Sequence, residues 1–228
     1  MTALPARPGG PPPGGWGLDR RRLYLCTPDR PDLEDFLAAC IGGGVDVVQL
    51  RDKVLGDDEL VGRARLAHRV CAEHGVPLVL NDRPDLALRA GADGVHVGQD
   101  DVSPVEARKV LGDAAIVGLS THAPAELAEA VDAGVPVDYV SAGPVVATPT
   151  KPGRPGTGLG YVSHAVAVSP WPVWITGGAS PSTVPEMVAA GARHVVVVRW
   201  LTEAADPRDA ARRLRDAIDV GLASVGIT

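Results

Sequence analysis

Apolar positions recur along this chain as eight short, mostly β-branched runs separated by longer amphipathic stretches. The runs are RLYLC (22–26), VDVVQLR (45–51), VPLVLN (76–81), DGVHVG (93–98), AIVGLS (115–120), VDYVSAG (137–143), PVWITGG (172–178) and HVVVVR (194–199). Most are apolar on both alternating faces, as expected of parallel strands covered on each side. The stretches between them show helical spacing, as at 57–73, 124–133, 181–190 and 207–220. Several open on a capping residue or a first-turn proline, with Ser103-Pro104 and Ser180-Pro181 as helix starts. Gly44, Gly75, Gly91, Gly112, Gly134 and Gly191 each stand just before a strand, where a left-handed residue would close the preceding helix.

Eight repeats of helix, glycine and strand predict an α/β fold, a single-domain (β/α)8 TIM barrel. An open doubly wound sheet is the weaker alternative. It usually has fewer strands and an early GxGxxG loop, which is absent here.

Composition narrows the function classes without changing that fold. A chain of 228 residues, 45% hydrophobic and 22% charged, suits one barrel. Its net charge of -6 gives no reason to expect nucleic acid as a partner, so an anionic ligand must be held by a local cluster of cations and amides. Cys26, Cys40 and Cys71 form no metal-binding spacing and sit among apolar neighbours, which suggests reduced core thiols in a cytoplasmic protein. No secretory leader and no apolar run of roughly 20 residues is present, so neither secretion nor membrane insertion is expected. Residues 1–17 are rich in Pro and Gly and predict a disordered tail, leaving the barrel to 18–228. A homo-oligomer is compatible with the sequence but not specified by it.

In such barrels the chemistry lies at the C-terminal ends of the strands. After the second run, Gln49, Arg51 and Lys53 fall on one face by period-two alternation, a face that calls for an anion unless the charges merely meet solvent. The third and fourth runs end in Asn81-Asp82 and in His96-Val97-Gly98-Gln99-Asp100-Asp101. Asp82 and Asp101 are candidate ligands of a hard cation such as Mg²⁺, the alternatives being a turn residue and a helix cap. The fifth run ends in Ser120-Thr121-His122, where Ser120 could donate to a phosphate or a heteroaromatic nitrogen and His122 could move a proton. No partner for a nucleophilic triad is evident. A long polar loop follows the sixth run and offers Thr148, Thr150 and Lys151 to an anion, or simply makes a proline-stiffened excursion. Gly177-Gly178 after the seventh run, with the end of the eighth, fits the position where barrels often hold a monophosphate. Two anion sites emerge, one sized for a diphosphate and one for a monophosphate. The pairing suggests an enzyme that joins two phosphorylated small molecules.

Taken in order, QLRDK, ND, HVGQDD, GLST, TPTK and GG with the last apolar run resemble the motif series of the thiamine-phosphate synthase family, also called thiamine-phosphate pyrophosphorylase. The likeness extends from about Arg22 to about Ala217. It implies a magnesium-dependent transferase of thiamine biosynthesis, which joins hydroxymethylpyrimidine diphosphate to hydroxyethylthiazole monophosphate and releases pyrophosphate. Gln49, Leu50, Arg51, Asp52, Lys53, Asn81, Ser120 and Lys151 then contact the pyrimidine diphosphate, with Arg51, Lys53, Ser120 and Lys151 as the catalytic group. Asp82 and Asp101 hold Mg²⁺. Thr148, Pro149, Thr150, Gly178, Val198 and Arg199 surround the thiazole phosphate, and Arg199 departs from the serine usual in the family. Two rivals remain open: a related thiazole tautomerase using a histidine near His122, and a catalytically silent barrel that senses a phosphorylated metabolite.

Overall fold

Each of the eight apolar runs forms a strand, and the strands close into one parallel barrel in the computed structural model, which describes residues 15–148, 153 and 155–227. The strands are β1 (Leu23–Thr27), β2 (Val47–Leu50), β3 (Leu78–Asn81), β4 (Gly94–Val97), β5 (Ile116–Thr121), β6 (Tyr139–Ala142), β7 (Val173–Ile175) and β8 (His194–Val197). Between them lie α1 (Leu33–Gly42), α2 (Asp57–Glu73), α3 (Pro84–Ala90), α4 (Pro104–Leu111), α5 (Pro124–Asp132), α6 (Gly158–Val168) and α7 (Val184–Ala189), and the short α8 (Arg199–Thr202) and α9 (Pro207–Ser224) complete the chain. Leu23 pairs with Val195 and Leu25 with Val197, joining β1 to β8 and excluding the open sheet.

Strand alternation divides the apolar residues between two cores. Leu23, Leu25, Val48, Leu50, Leu78 and Leu80 face the helices, whereas Tyr24, Val47, Val79, Ile116, Tyr139 and Trp174 fill the barrel itself. Burial of each such side chain contributes roughly 1.5–3 kcal/mol. The interior mixes very large and very small residues. A Cβ on Gly118 would lie 2.1 Å from the Tyr139 ring, and one on Gly94 would lie 2.2 Å from the Ile116 carbonyl oxygen.

Local chemistry sets the helix ends. All six glycines singled out in the sequence have positive φ; Gly91, at 76°, caps α3 by donating its N–H to Ala87 and Leu88. Ser103 and Glu106 form a reciprocal capping box at the start of α4. The helix expected from Ser180-Pro181 begins instead at Val184, because the Thr183 hydroxyl accepts the Ser180 N–H at 3.0 Å and donates to the Gly178 carbonyl at 2.7 Å, holding 180–183 as a turn. No described helix is long and apolar enough to cross a membrane.

Of the N-terminal segment 1–17, residues 1–14 lie outside the described set. Trp16 donates its indole N–H to the Ala114 carbonyl at 3.2 Å, and Leu18 packs on the inner core from below. Beside them, the His194 Nδ1–H meets the Arg21 carbonyl at 2.6 Å, and burial lowers the imidazole pKa to about 4. The fold thus disfavours imidazolium, so the unfolded chain takes up this proton first. The contribution is intact above the ordinary pKa of ~6.5 and is lost as pH falls toward 4, an effect on the order of 2–3 kcal/mol. His194→Asn, neutral throughout, should show a shallower fall in Tm than the parent between pH 6.5 and 4.5; parallel curves would refute this role.

Candidate active site

The strand ends surround a cavity of about 1020 Å³. Gln49, Arg51, Lys53, Asn81, Asp82, Asp101, Ser120, Thr148, Gly178, Val198 and Arg199 all line it, as sequence position predicts. Leu50 and Asp52 do not. Leu50 lies in the outer core, facing the helices. The Asp52 carboxylate accepts the backbone N–H groups of Val54 at 2.8 Å, Leu55 at 3.0 Å and Asp29 at 3.3 Å, so it braces the loop after β2. Pro149, Thr150 and Lys151 lie outside the described residues.

On one wall, Lys53 Nζ stands 2.9 Å from Asp82 Oδ2, and Asp101 lies close enough to Asp82 to act on its charge. Asp82 is the one described non-glycine residue with positive φ, 64°, and its backbone N–H donates to the His96 carbonyl at 2.8 Å. A left-handed aspartate held by its neighbours is the kind of strain that gathers at functional sites. Burial raises the Asp82 pKa and the Asp101 charge raises it further, against the opposing pull of Lys53. Asp101 accepts the Gly98 N–H at 2.8 Å, and Ser103 rather than Asp101 caps α4. Arg51, by contrast, lines the cavity and forms no ion pair with a described carboxylate. Among the described residues no group of three or more His, Cys, Asp or Glu is arranged to hold a metal. A hard cation on Asp82 and Asp101 would therefore complete its shell with water and ligand oxygens.

The opposite wall is built from backbone. Gly177 and Gly178 have φ of 95° and 81°, and a Cβ on Gly177 would come within 2.7 Å of the Val145 nitrogen. Gly177 and Gly178 line the cavity together with Thr148, Ser180 and Val198. Arg199 is exposed at the start of α8 and makes no ion pair with a described side chain. Beyond it, Arg213 lies over the Trp200 ring at 5.6 Å, an extension of the cavity that sequence position did not disclose.

The floor holds residues to which the strand-end reading gave no role. Tyr24, Cys26, His96 and Ser141 line the cavity from inside the strands, and Tyr139 lies just beneath. Their signal is a polar residue at inward parity within an apolar run, as with His96 between Val95 and Val97. His122, also on the lining, has its Nδ1 3.0 Å from Glu126 Oε2.

A closed (β/α)8 barrel whose strand ends converge on a deep polar mouth is the architecture of a barrel enzyme. The family described as thiamine monophosphate synthase matches residues 23–201. A thiamine-phosphate synthase of Thermobifida fusca is 47% identical over 202 residues, covering 87% of this chain and 92% of that one. Another from Thermus thermophilus is 47% identical over 208 residues, covering 86% and 97%. Among solved structures, the thiamine phosphate pyrophosphorylase of Pyrococcus furiosus superposes with a TM-score of 0.80 at 26% identity, covering 90% of this chain and 98% of that one. The chain belongs to the thiamine monophosphate synthase family, a family of transferases.

Proposed function

We propose that this protein joins hydroxymethylpyrimidine diphosphate to hydroxyethylthiazole monophosphate, giving thiamine phosphate and pyrophosphate. The observation that carries the reading is the division of one cavity into two walls: Arg51 and Lys53 beside the Asp82–Asp101 pair, and opposite them the Gly177-Gly178 turn at the end of β7, packed against Pro144, Val145 and Val146. The first suits a diphosphate, the second a monoester.

The carboxylate pair fits Mg²⁺. Its donors are hard oxygens, and the Asp101 charge that raises the Asp82 pKa would be offset by a cation between them. When bound, Mg²⁺ would neutralise the pair and draw charge from the departing pyrophosphate. Arg51 binds that leaving group directly, and Lys53 reaches it from beside Asp82. Lys151, from the loop after β6, is assigned to the same diphosphate. Ser120 orients the pyrimidine, whose amino group helps its ring carry the positive charge left on the methylene carbon as the C–O bond breaks. The glycine wall and Thr148 hold the thiazole so that its unprotonated ring nitrogen captures that carbon. No general base is needed, because the nucleophile carries no proton to remove. The buried thiols of Cys26, Cys40 and Cys71, none of them in a disulfide, suit a reducing cytoplasm.

The test is product formation from both precursors by the full-length protein, with Mg²⁺ and with chelator. Thiamine phosphate and pyrophosphate should appear in equal amounts and only with the metal. Absence of product would overturn the reading, and chemical change in the thiazole phosphate alone would instead favour tautomerisation by His122, which Glu126 orients.

A further inference from the structure

Side chains from five strands form one hydrogen-bonded chain through the barrel. Gln49 Nε2 donates to the Tyr24 hydroxyl at 2.8 Å, and the Tyr24 and Tyr139 hydroxyls meet at 2.9 Å. Tyr139 meets His96 Nδ1 at 2.9 Å, and His96 Nε2 meets Ser120 Oγ at 2.8 Å. The Ser141 hydroxyl donates to the same Ser120 oxygen at 3.4 Å.

The chemistry of the first member gives this chain a direction. The Gln49 amide turns its Nε2 toward Tyr24 and its Oε1 toward the Cys26 thiol, 3.2 Å away, and an amide nitrogen can only donate. Tyr24, having accepted the amide proton, passes its own to Tyr139. Tyr139 then donates to His96 Nδ1, which must be the bare ring nitrogen. Neutral His96 carries its proton on Nε2 and gives that hydrogen bond to Ser120. The Ser120 oxygen thus accepts from both His96 and Ser141, and its own proton is left for the cavity. With the amide in this orientation, reversing the chain would make the Tyr24 hydroxyl accept from both Gln49 and Tyr139. Both phenols are fully buried and burial pushes their pKa values upward, so they stay protonated as donors.

We infer that Tyr24, Tyr139 and His96 are positioning residues that lock Ser120 as a hydrogen-bond donor to an unprotonated nitrogen of the pyrimidine ring. The inference rests on the function proposed above. A hydroxyl can fix a ring nitrogen without protonating it, whereas an imidazolium in its place would transfer charge to the ring that must stabilise a cation. The same polarity bars Ser120 from acting as a nucleophile, because its neighbour His96 offers it a proton instead of a lone pair.

Two measurements test this separately from the overall activity. The first is ¹⁵N NMR of histidine-labelled full-length protein at neutral pH, with His96 assigned by the signal lost in His96→Gln. Neutral His96 with its proton on Nε2 is expected, and a proton on Nδ1, or imidazolium, would overturn the relay even if the enzyme makes thiamine phosphate. The second is steady-state kinetics of Tyr139→Phe, or of Tyr24→Phe should the first fail to fold. A KM for the pyrimidine diphosphate raised about 10-fold is expected, with the thiazole phosphate KM within about 2-fold of the parent. His96→Gln, which keeps an N–H donor, should retain more pyrimidine affinity than His96→Leu. Equal rises in both KM values, or none, would overturn the positioning role. If the parent makes no product while its His96 shows the expected tautomer, the proposed function fails and the relay stands.

Discussion

Asp82→Asn is expected to lower kcat/KM by about 10³-fold in saturating Mg²⁺, while Tm stays within about 3 °C of the parent. The substitution keeps the shape of the side chain, and asparagine tolerates the left-handed backbone found at φ 64°. What disappears is the negative charge that faces Asp101 and Lys53. Folding loses little, since the fold already disfavours that charge: burial and Asp101 both raise the Asp82 pKa. On the proposed reading, catalysis loses the electrostatic anchor for the cation and, through it, for the leaving group. Alanine would be a poorer probe, because its left-handed conformation adds roughly 1 kcal/mol of backbone cost. Rates measured across a Mg²⁺ series decide the matter, and a variant with parental kcat/KM and parental metal dependence would remove Asp82 from the cation site.

The largest effect on stability should come from Gly118→Ala, far from any charge. Its new methyl would lie 2.1 Å from the Tyr139 Cζ, inside a barrel that has no slack to absorb it. Overpacking of this kind costs about 3 kcal/mol or more, a fall in Tm of roughly 6–12 °C for a chain this long. Tyr139→Leu in the same chain should recover part of the loss by giving the methyl room, although the hydroxyl relay goes with it. Thermal unfolding of the two single variants and the double variant would show this as coupling. Additive losses would mean that the glycine is not there to admit the tyrosine ring.

These two positions also mark where the sequence was legible and where it was not. The strands were legible because parallel β-structure buried on both faces must be apolar at consecutive positions, and the six inter-unit glycines announced helix ends that need positive φ. Asp82, Asp101 and Arg51 were legible because barrel architecture assigns strand ends to the mouth. The start of α7 was misplaced because the Thr183 hydroxyl, bonded to the Ser180 N–H and the Gly178 carbonyl, holds 180–183 as a turn ahead of the helix. Leu50 and Asp52 fell inside a motif, yet parity turns one outward and backbone amides capture the other. The polar relay stayed hidden for a different reason. Tyr24, His96 and Tyr139 look like isolated polar residues in three separate apolar runs, and only closure of the barrel brings their hydrogen-bonding atoms to 2.9 Å.

That closure has a consequence for the chain as it is made. β1 lies between β2 and β8, so the first strand to leave the ribosome lacks one of its two neighbours until residue 197 has followed it. Through most of synthesis the outer edge of Leu23–Thr27 is an unpaired, apolar template, open to pairing with another nascent copy. Chains truncated before β8 should therefore be the ones that aggregate.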